Sequence, residues 1–211
     1  MKISTALKSL LGIGALTLPL VASAASTYTT GTGPLTASAT VNFSVVIPKV
    51  LYLRVGTGSS YTTGVLATNA TTDLITFSPA LGSTGTPVAG VGGDQPGGVE
   101  TAAIVSNGGN VSLVATTTAT GLSDGNGDFI PFTQISTAAA GNSGGYALLQ
   151  PPVLNATGTS TTINLTASAA KVINADAKWT YTYNNSVTYP GGTYGGTTAL
   201  GGTVTYTATM P

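Results

Sequence analysis

Apolar and small polar residues alternate along most of this chain, in short runs separated by glycine, asparagine and proline. A period of two sends successive side chains to opposite faces, so each run predicts a half-buried β-strand. The first run covers 41–47, with Val41, Phe43, Val45 and Ile47 on one face, and stops at Pro48, which has no N–H to give to a ladder. The second, 50–55, gathers Leu51, Leu53 and Val55 opposite Tyr52 and Arg54. Strands follow at 74–77, 99–105 and 111–117, and the Gly108-Gly109-Asn110 turn predicts that the last two form a hairpin. Others are expected at 146–150 and 161–169. The best-patterned run is 178–183, where Trp179, Tyr181 and Tyr183 take the inward face. The last, 203–209, aligns Val204, Tyr206 and Ala208. Helical periodicity with capping signals is missing from these segments. Eight or nine short strands separated by turns predict an all-β fold, a two-sheet antiparallel sandwich of immunoglobulin-like or jelly-roll type.

The first residues follow a different rule. Lys2 and Lys8 precede an apolar run from Leu10 to Val21, and small residues stand at Ala22 and Ala24. This is the layout of a secretory signal peptide cleaved after Ala24, and its apolar run falls short of the roughly twenty residues that span a bilayer as a helix. The expected organisation is a signal peptide at 1–24, a flexible Thr/Gly-rich arm at 25–38, and a single β-sandwich domain at 39–211. The mature form, without a transmembrane segment, is then exported to the periplasm, the cell surface or the medium. A long loop at 78–98 carries Pro79, Pro87 and Pro96 among many glycines; loops of that length are functional or mobile, and a plain flexible crossover fits equally well.

Charge narrows the function. Charged residues make up 6% of the chain. Removing the leader leaves Lys49, Arg54, Lys171 and Lys178 against Asp73, Asp94, Glu100, Asp124, Asp128 and Asp176, a net charge of −2. Four scattered cations cannot supply the basic footprint that phosphate binding requires, so nucleic acid is excluded as a partner. Threonine, serine, asparagine and glycine take the place of charge at the surface. Threonine suits this role because its β-branch fits a pleated strand while its hydroxyl faces water.

The chain has neither histidine nor cysteine. It therefore lacks the usual general base, the thiol nucleophile and the preferred zinc ligands, and no disulfide holds the fold. We expect a non-catalytic protein without a resident cofactor. Two kinds of site remain open. Asp124, Asn126 and Asp128 have the D-x-N-x-D spacing of the first half of a calcium loop, although Phe129 stands where such a loop needs glycine and Ile135 where it needs a bidentate glutamate. The same residues also make an ordinary surface turn. Tyr61, Tyr189 and Tyr194, set among glycines, are candidates for stacking on sugar rings, whereas Trp179 alternates as a core residue should. A pair of carboxylates across a cleft would allow glycoside hydrolysis, and Asp124 and Asp128 are the acids nearest each other in sequence.

The ending, from Trp179-Thr180-Tyr181-Thr182-Tyr183 through Gly192-Thr193-Tyr194-Gly195-Gly196 to Val204-Thr205-Tyr206-Thr207-Ala208-Thr209-Met210-Pro211, resembles the terminal strands of bacterial secreted surface sandwiches, notably WxL-like domains and some fimbrial subunits. Where a WxL domain has its second W-x-L element, this chain has Val204-Thr205-Tyr206. The fimbrial resemblance implies assembly by strand addition, with Val41, Phe43, Val45 and Ile47 entering a neighbour's sheet and Val204, Tyr206 and Ala208 forming a closing strand. The same 41–47 segment also reads as the first strand of its own domain. The expected function is a structural or adhesive surface component, a fibre or pilus-like subunit with protein partners or copies of itself. The alternative is a secreted carbohydrate- or peptidoglycan-binding module whose partner is a glycan; a secreted glycosidase comes third.

Overall fold

The computed structural model describes residues 25–56, 66, 68–117, 121–142, 145–156 and 158–211. The expected signal peptide and Tyr61 lie outside them. The chain divides into two compact units, 1–47 and 48–211. No helix among the described residues is long and apolar enough to cross a membrane.

In the first unit, Ala25–Ser26 pairs antiparallel with Ala39–Thr40. The Thr27 hydroxyl continues the ladder, donating to the Ser38 carbonyl at 3.1 Å and accepting from the Ser38 N–H at 2.9 Å. The stretch read as an arm thus doubles back on itself. Beyond Thr40 the expected strand does not form: 41–47 has no strand partner among the described residues, and Val41, Phe43, Val45 and Ile47 are all exposed, Phe43 at 91%. The alternation is present, but no described strand pairs with it.

The second unit is nearly all β. Its main strands are β1 (Leu51–Val55), β2 (Val88–Ala89), β3 (Val99–Ser106), β4 (Val111–Thr117), β5 (Ile135–Ala140), β6 (Ala147–Leu148), β7 (Gly158–Thr159), β8 (Ile163–Leu165), β9 (Ile173–Tyr183) and β10 (Val204–Thr209). One sheet runs β5-β9-β3-β1, with β2 and β6 also bonded to β9. In the other, β4 carries β7 and β8 along one side and β10 along the other, since β10 pairs with residues 112–117 and leaves only the opposite edge free. Apart from the parallel β6–β9 pair, these ladders are antiparallel.

The 99–117 hairpin does not form. Residues 107–110 carry the chain from one sheet to the other, because β3 is already flanked on both sides by β9 and β1. Five consecutive β3 residues, Glu100 to Ile104, are buried, as expected of an interior strand with both faces covered. Asn107 secures the corner: its Oδ1 accepts from Val50 N–H at 2.7 Å and its Nδ2 donates to Pro48 O at 2.9 Å. The 161–169 strand shortens to β8, and β5 is an element that the alternation did not reveal.

One buried cluster draws on both sheets, joining Ala102, Ile104, Ile173, Ala175, Trp179 and Tyr181 to Val111 and Leu113. Trp179 is completely buried and donates its indole N–H to Leu149 O at 2.7 Å, so its one polar group is satisfied. Its ring lies 5.3 Å from that of Tyr206, tilted by 50°.

Candidate functional site

β1 and β10 are the outer strands of their respective sheets on one side of the second unit, and both line a cleft of about 1630 Å³. All five residues of β1 and Val204, Thr205 and Tyr206 of β10 line it, and of these Leu53, Val55 and Tyr206 also pack against the core. Ile75, Phe77, Phe132 and Leu154 add apolar surface deeper in. Tyr206 meets Tyr181 hydroxyl to hydroxyl at 2.8 Å. Burial raises both phenols, Tyr206 to about 12, so both remain neutral donors and acceptors at any ordinary pH.

The backbone along β1 has a definite polarity. Gly56 N–H donates to Thr101 O at 2.8 Å, and Asn107 N–H donates to Val50 O at 3.3 Å. In an antiparallel ladder, bonded and non-bonded pairs alternate. Even-numbered positions therefore turn their N–H and C=O towards β3, and Leu51, Leu53 and Val55 turn theirs away from it. Among the described residues, no strand pairs with that outer edge.

The cleft lining includes two acids, Asp73 and Glu100, and a third, Asp94, lies next to Glu100. Glu100 begins the buried part of β3 at 5% exposure, and the side chain of Asp94 is 1% exposed. Asp94 accepts from Thr101 N–H at 2.8 Å and from the Thr101 hydroxyl, and faces the Arg54 guanidinium at 3.5 Å. Arg54 also donates to Thr101 Oγ1 at 3.1 Å and to Gly56 O at 3.0 Å. Asp94 N–H donates to Glu100 Oε2 at 3.1 Å. Burial is the main cause that pushes the Glu100 carboxyl up to about 8; the Asp94 N–H bond opposes it, while the charges of Asp73 and Asp94 and a side-chain hydrogen bond with Asp73 add to it. Glu100 thus keeps its proton at neutral pH. Gly56, at φ 75°, is required there: a Cβ would sit 2.5 Å from Glu100 Oε2 and 2.6 Å from Asp73 Oδ2.

The residues singled out from sequence fall at several places. Trp179, Tyr181 and Tyr183 are buried as expected. Tyr189 and Tyr194 line the cleft mouth with ring centroids 6.4 Å apart, edge to face, and Tyr194 donates to Pro190 O at 2.9 Å. Asp124, Asn126 and Asp128 occupy the turn between the paired segments Leu122–Ser123 and Phe129–Ile130. Asp124 Oδ1 accepts from Asn126 N–H at 2.8 Å and Asp128 N–H at 3.1 Å. The Asn126 bond is the main cause that lowers the Asp124 carboxyl. No group of three or more His, Cys, Asp or Glu that could hold a metal ion occurs among the described residues. Val204, Tyr206 and Ala208 are half-buried on one face of β10, whereas Val41, Phe43, Val45 and Ile47 belong to the other unit.

The acids that converge are Asp73, Asp94 and Glu100, not the pair nearest in sequence. One signal was available: Glu100 is a lone charge in the otherwise uncharged run Val99-Glu100-Thr101-Ala102-Ala103-Ile104. Three serine spacings are also present. Gly121-Leu122-Ser123-Asp124-Gly125 matches G-x-S-x-G, Ser168-Ala169-Ala170-Lys171 matches S-x-x-K, and Gly141-Asn142-Ser143-Gly144-Gly145, which lies partly outside the described residues, repeats G-x-S-x-G. The first lies in a turn between short strands, with Ser123 Oγ accepting from Gly125 N–H at 3.0 Å, rather than on a strand-to-helix elbow. The second is a tight turn closed by Lys171 N–H to Ser168 O at 2.8 Å, and Lys171 takes a left-handed φ of 61°. A comparison with protein-family models, curated proteins and solved structures finds no match, so the likeness to WxL-like and fimbrial proteins rests on the terminal residues alone.

Proposed function

We propose that the mature chain is an exported, non-catalytic surface subunit in which the two sheets pack as a sandwich and copies join by strand addition. One observation carries this reading: 41–47 presents an alternating apolar face in a segment that has no strand partner among the described residues and is exposed along its length. Leaving such a strip in water is unfavourable at about 25 cal/mol per Å², and a strand that enters a neighbour's groove removes it. The leader at 1–24 supports export, and the Thr/Ser/Gly-rich, charge-poor composition suits a surface fibre. The test is deletion of residues 25–47 in the exported protein. Soluble monomers without fibres in electron micrographs are expected; fibres that persist refute the reading.

A second reading has its own support. The tyrosine pair Tyr189 and Tyr194 at the cleft mouth, beside the Asp124 turn, suits stacking against a sugar ring, which would make the protein a carbohydrate- or peptidoglycan-binding module. Fibres that depend on 25–47 favour the first reading; retention on immobilised peptidoglycan that Tyr194→Ala abolishes favours the second.

A further inference from the structure

We infer that the outer edge of β1, along the cleft it shares with β10, accepts the 41–47 segment of a second copy of this chain. The inference rests on the strand-addition reading and adds to it the place of docking. Three observations select this edge. The first is chemical: the N–H and C=O of Leu51, Leu53 and Val55 point outward along it, spaced to bond alternate residues of an added strand. The second is the surface behind it. An added strand alternates like its neighbours, so one face of the newcomer would lie over the apolar cleft walls, Leu53, Val55, Ile75, Phe77, Val204 and Tyr206. In 41–47 that face is Val41, Phe43, Val45 and Ile47, large and uncharged, and the opposite face begins with Asn42 and Ser44.

The third is length and direction. Seven residues of strand reach about 23 Å at roughly 3.3 Å each, enough to run past the five residues of β1. The segment precedes β1 in the chain, separated from it only by Pro48, Lys49 and Val50. A subunit that offers its segment from one place and receives a neighbour's at another makes a head-to-tail contact, and such contacts propagate into filaments unless they close into a ring. The other outer strand of the same sheet, β5, pairs with β9 through alanine-rich positions and reaches the cleft only with Ile135.

The absence of native cysteine makes the test clean. In the full-length exported chain, Tyr52→Cys places a thiol on the side of β1 facing away from the core, and Asn42→Cys, Ser44→Cys or Val46→Cys places one on the matching face of the segment. Facing residues of adjacent strands have Cβ atoms about 4.5–5.5 Å apart, within disulfide range. We expect at least one of the three double variants to move most of the protein into a ladder of covalent multimers on oxidation, while each single variant stops at dimers. Ser44→Cys with Ser136→Cys on β5, and Ser44→Cys with Thr205→Cys on β10, should give no ladder. A ladder from either control pair, or a disulfide confined to the monomer, overturns the assignment. In those cases strand addition itself is judged separately: fibres lost on deletion of 25–47 leave it standing with a different acceptor, and fibres retained remove both.

Discussion

Residues 41–47 and 179–183 are written in the same code and end in opposite surroundings. In β9, Trp179, Tyr181 and Tyr183 alternate with Thr180 and Thr182, and all three aromatics are buried between strands on either side. In the N-terminal segment, Val41, Phe43, Val45 and Ile47 alternate just as regularly, and all four face water. Alternation states which side chains share a face; it does not supply the backbone that covers them. A strand acquires its free energy from its neighbours, so the same pattern is a core in one place and an exposed strip in the other.

The comparison can be broken at either end. The largest effect is expected at Trp179→Ala, which empties a fully buried site and leaves Leu149 O without its indole donor. Substitutions of this kind cost about 3–5 kcal/mol, and urea or thermal unfolding followed by circular dichroism would measure it. A loss under about 1 kcal/mol would mean that β9 is not the centre of the core.

The acid cluster gives the next effect, and it depends on pH. The Glu100 carboxyl lies near 8 in the folded chain against an ordinary value of 4.5. Between those values the folded state holds a proton that the unfolded state has released, so stability falls as pH rises. The contribution is intact below about 4.5 and is lost as pH passes 8. Glu100→Gln retains the shape without the charge. We expect it to match the parent at pH 4 and to exceed it by about 1–2 kcal/mol at pH 9, allowing for screening. A gain that is the same at both pH values would show that Glu100 does not titrate in this range.

The smallest effect on stability, and the sharpest contrast with Trp179, is expected at Phe43→Ser. Its side chain is 91% exposed, so the change should alter subunit stability by less than about 0.5 kcal/mol while it weakens assembly. A melting temperature that drops as it does for Trp179→Ala would mean that Phe43 belongs to the subunit's own core.

Much of the second unit was legible because its strands obey a local rule. The inward faces of β1, β9 and β10 follow from alternation alone, and Trp179 could be assigned to the core without knowledge of its partners. The elements that escaped had weak local signals. β5 is written Ile135-Ser136-Thr137-Ala138-Ala139-Ala140, with too little contrast between faces; it is a strand because the long β9 offers it an edge. The 107–110 turn has hairpin chemistry, yet it is a crossover because β3 had no edge left to offer. The acid cluster shows the same limit at the candidate site. Asp94 and Glu100 flank a turn closed by the Gln95–Val99 bridge, whereas Asp73 reaches Glu100 from a segment far away in sequence, which no spacing rule foretells.

The sequence by itself determined that this chain is built from short strands, which side chains share a face, and that charge, histidine and cysteine chemistry are scarce. These are properties of single residues and of a period of two, and they survive without a partner. Only the tertiary structure decided which edges are paired, which acids meet and where a cleft stays open. Pairing is a competition among all strands for a limited number of edges, and its outcome belongs to the whole set rather than to any segment.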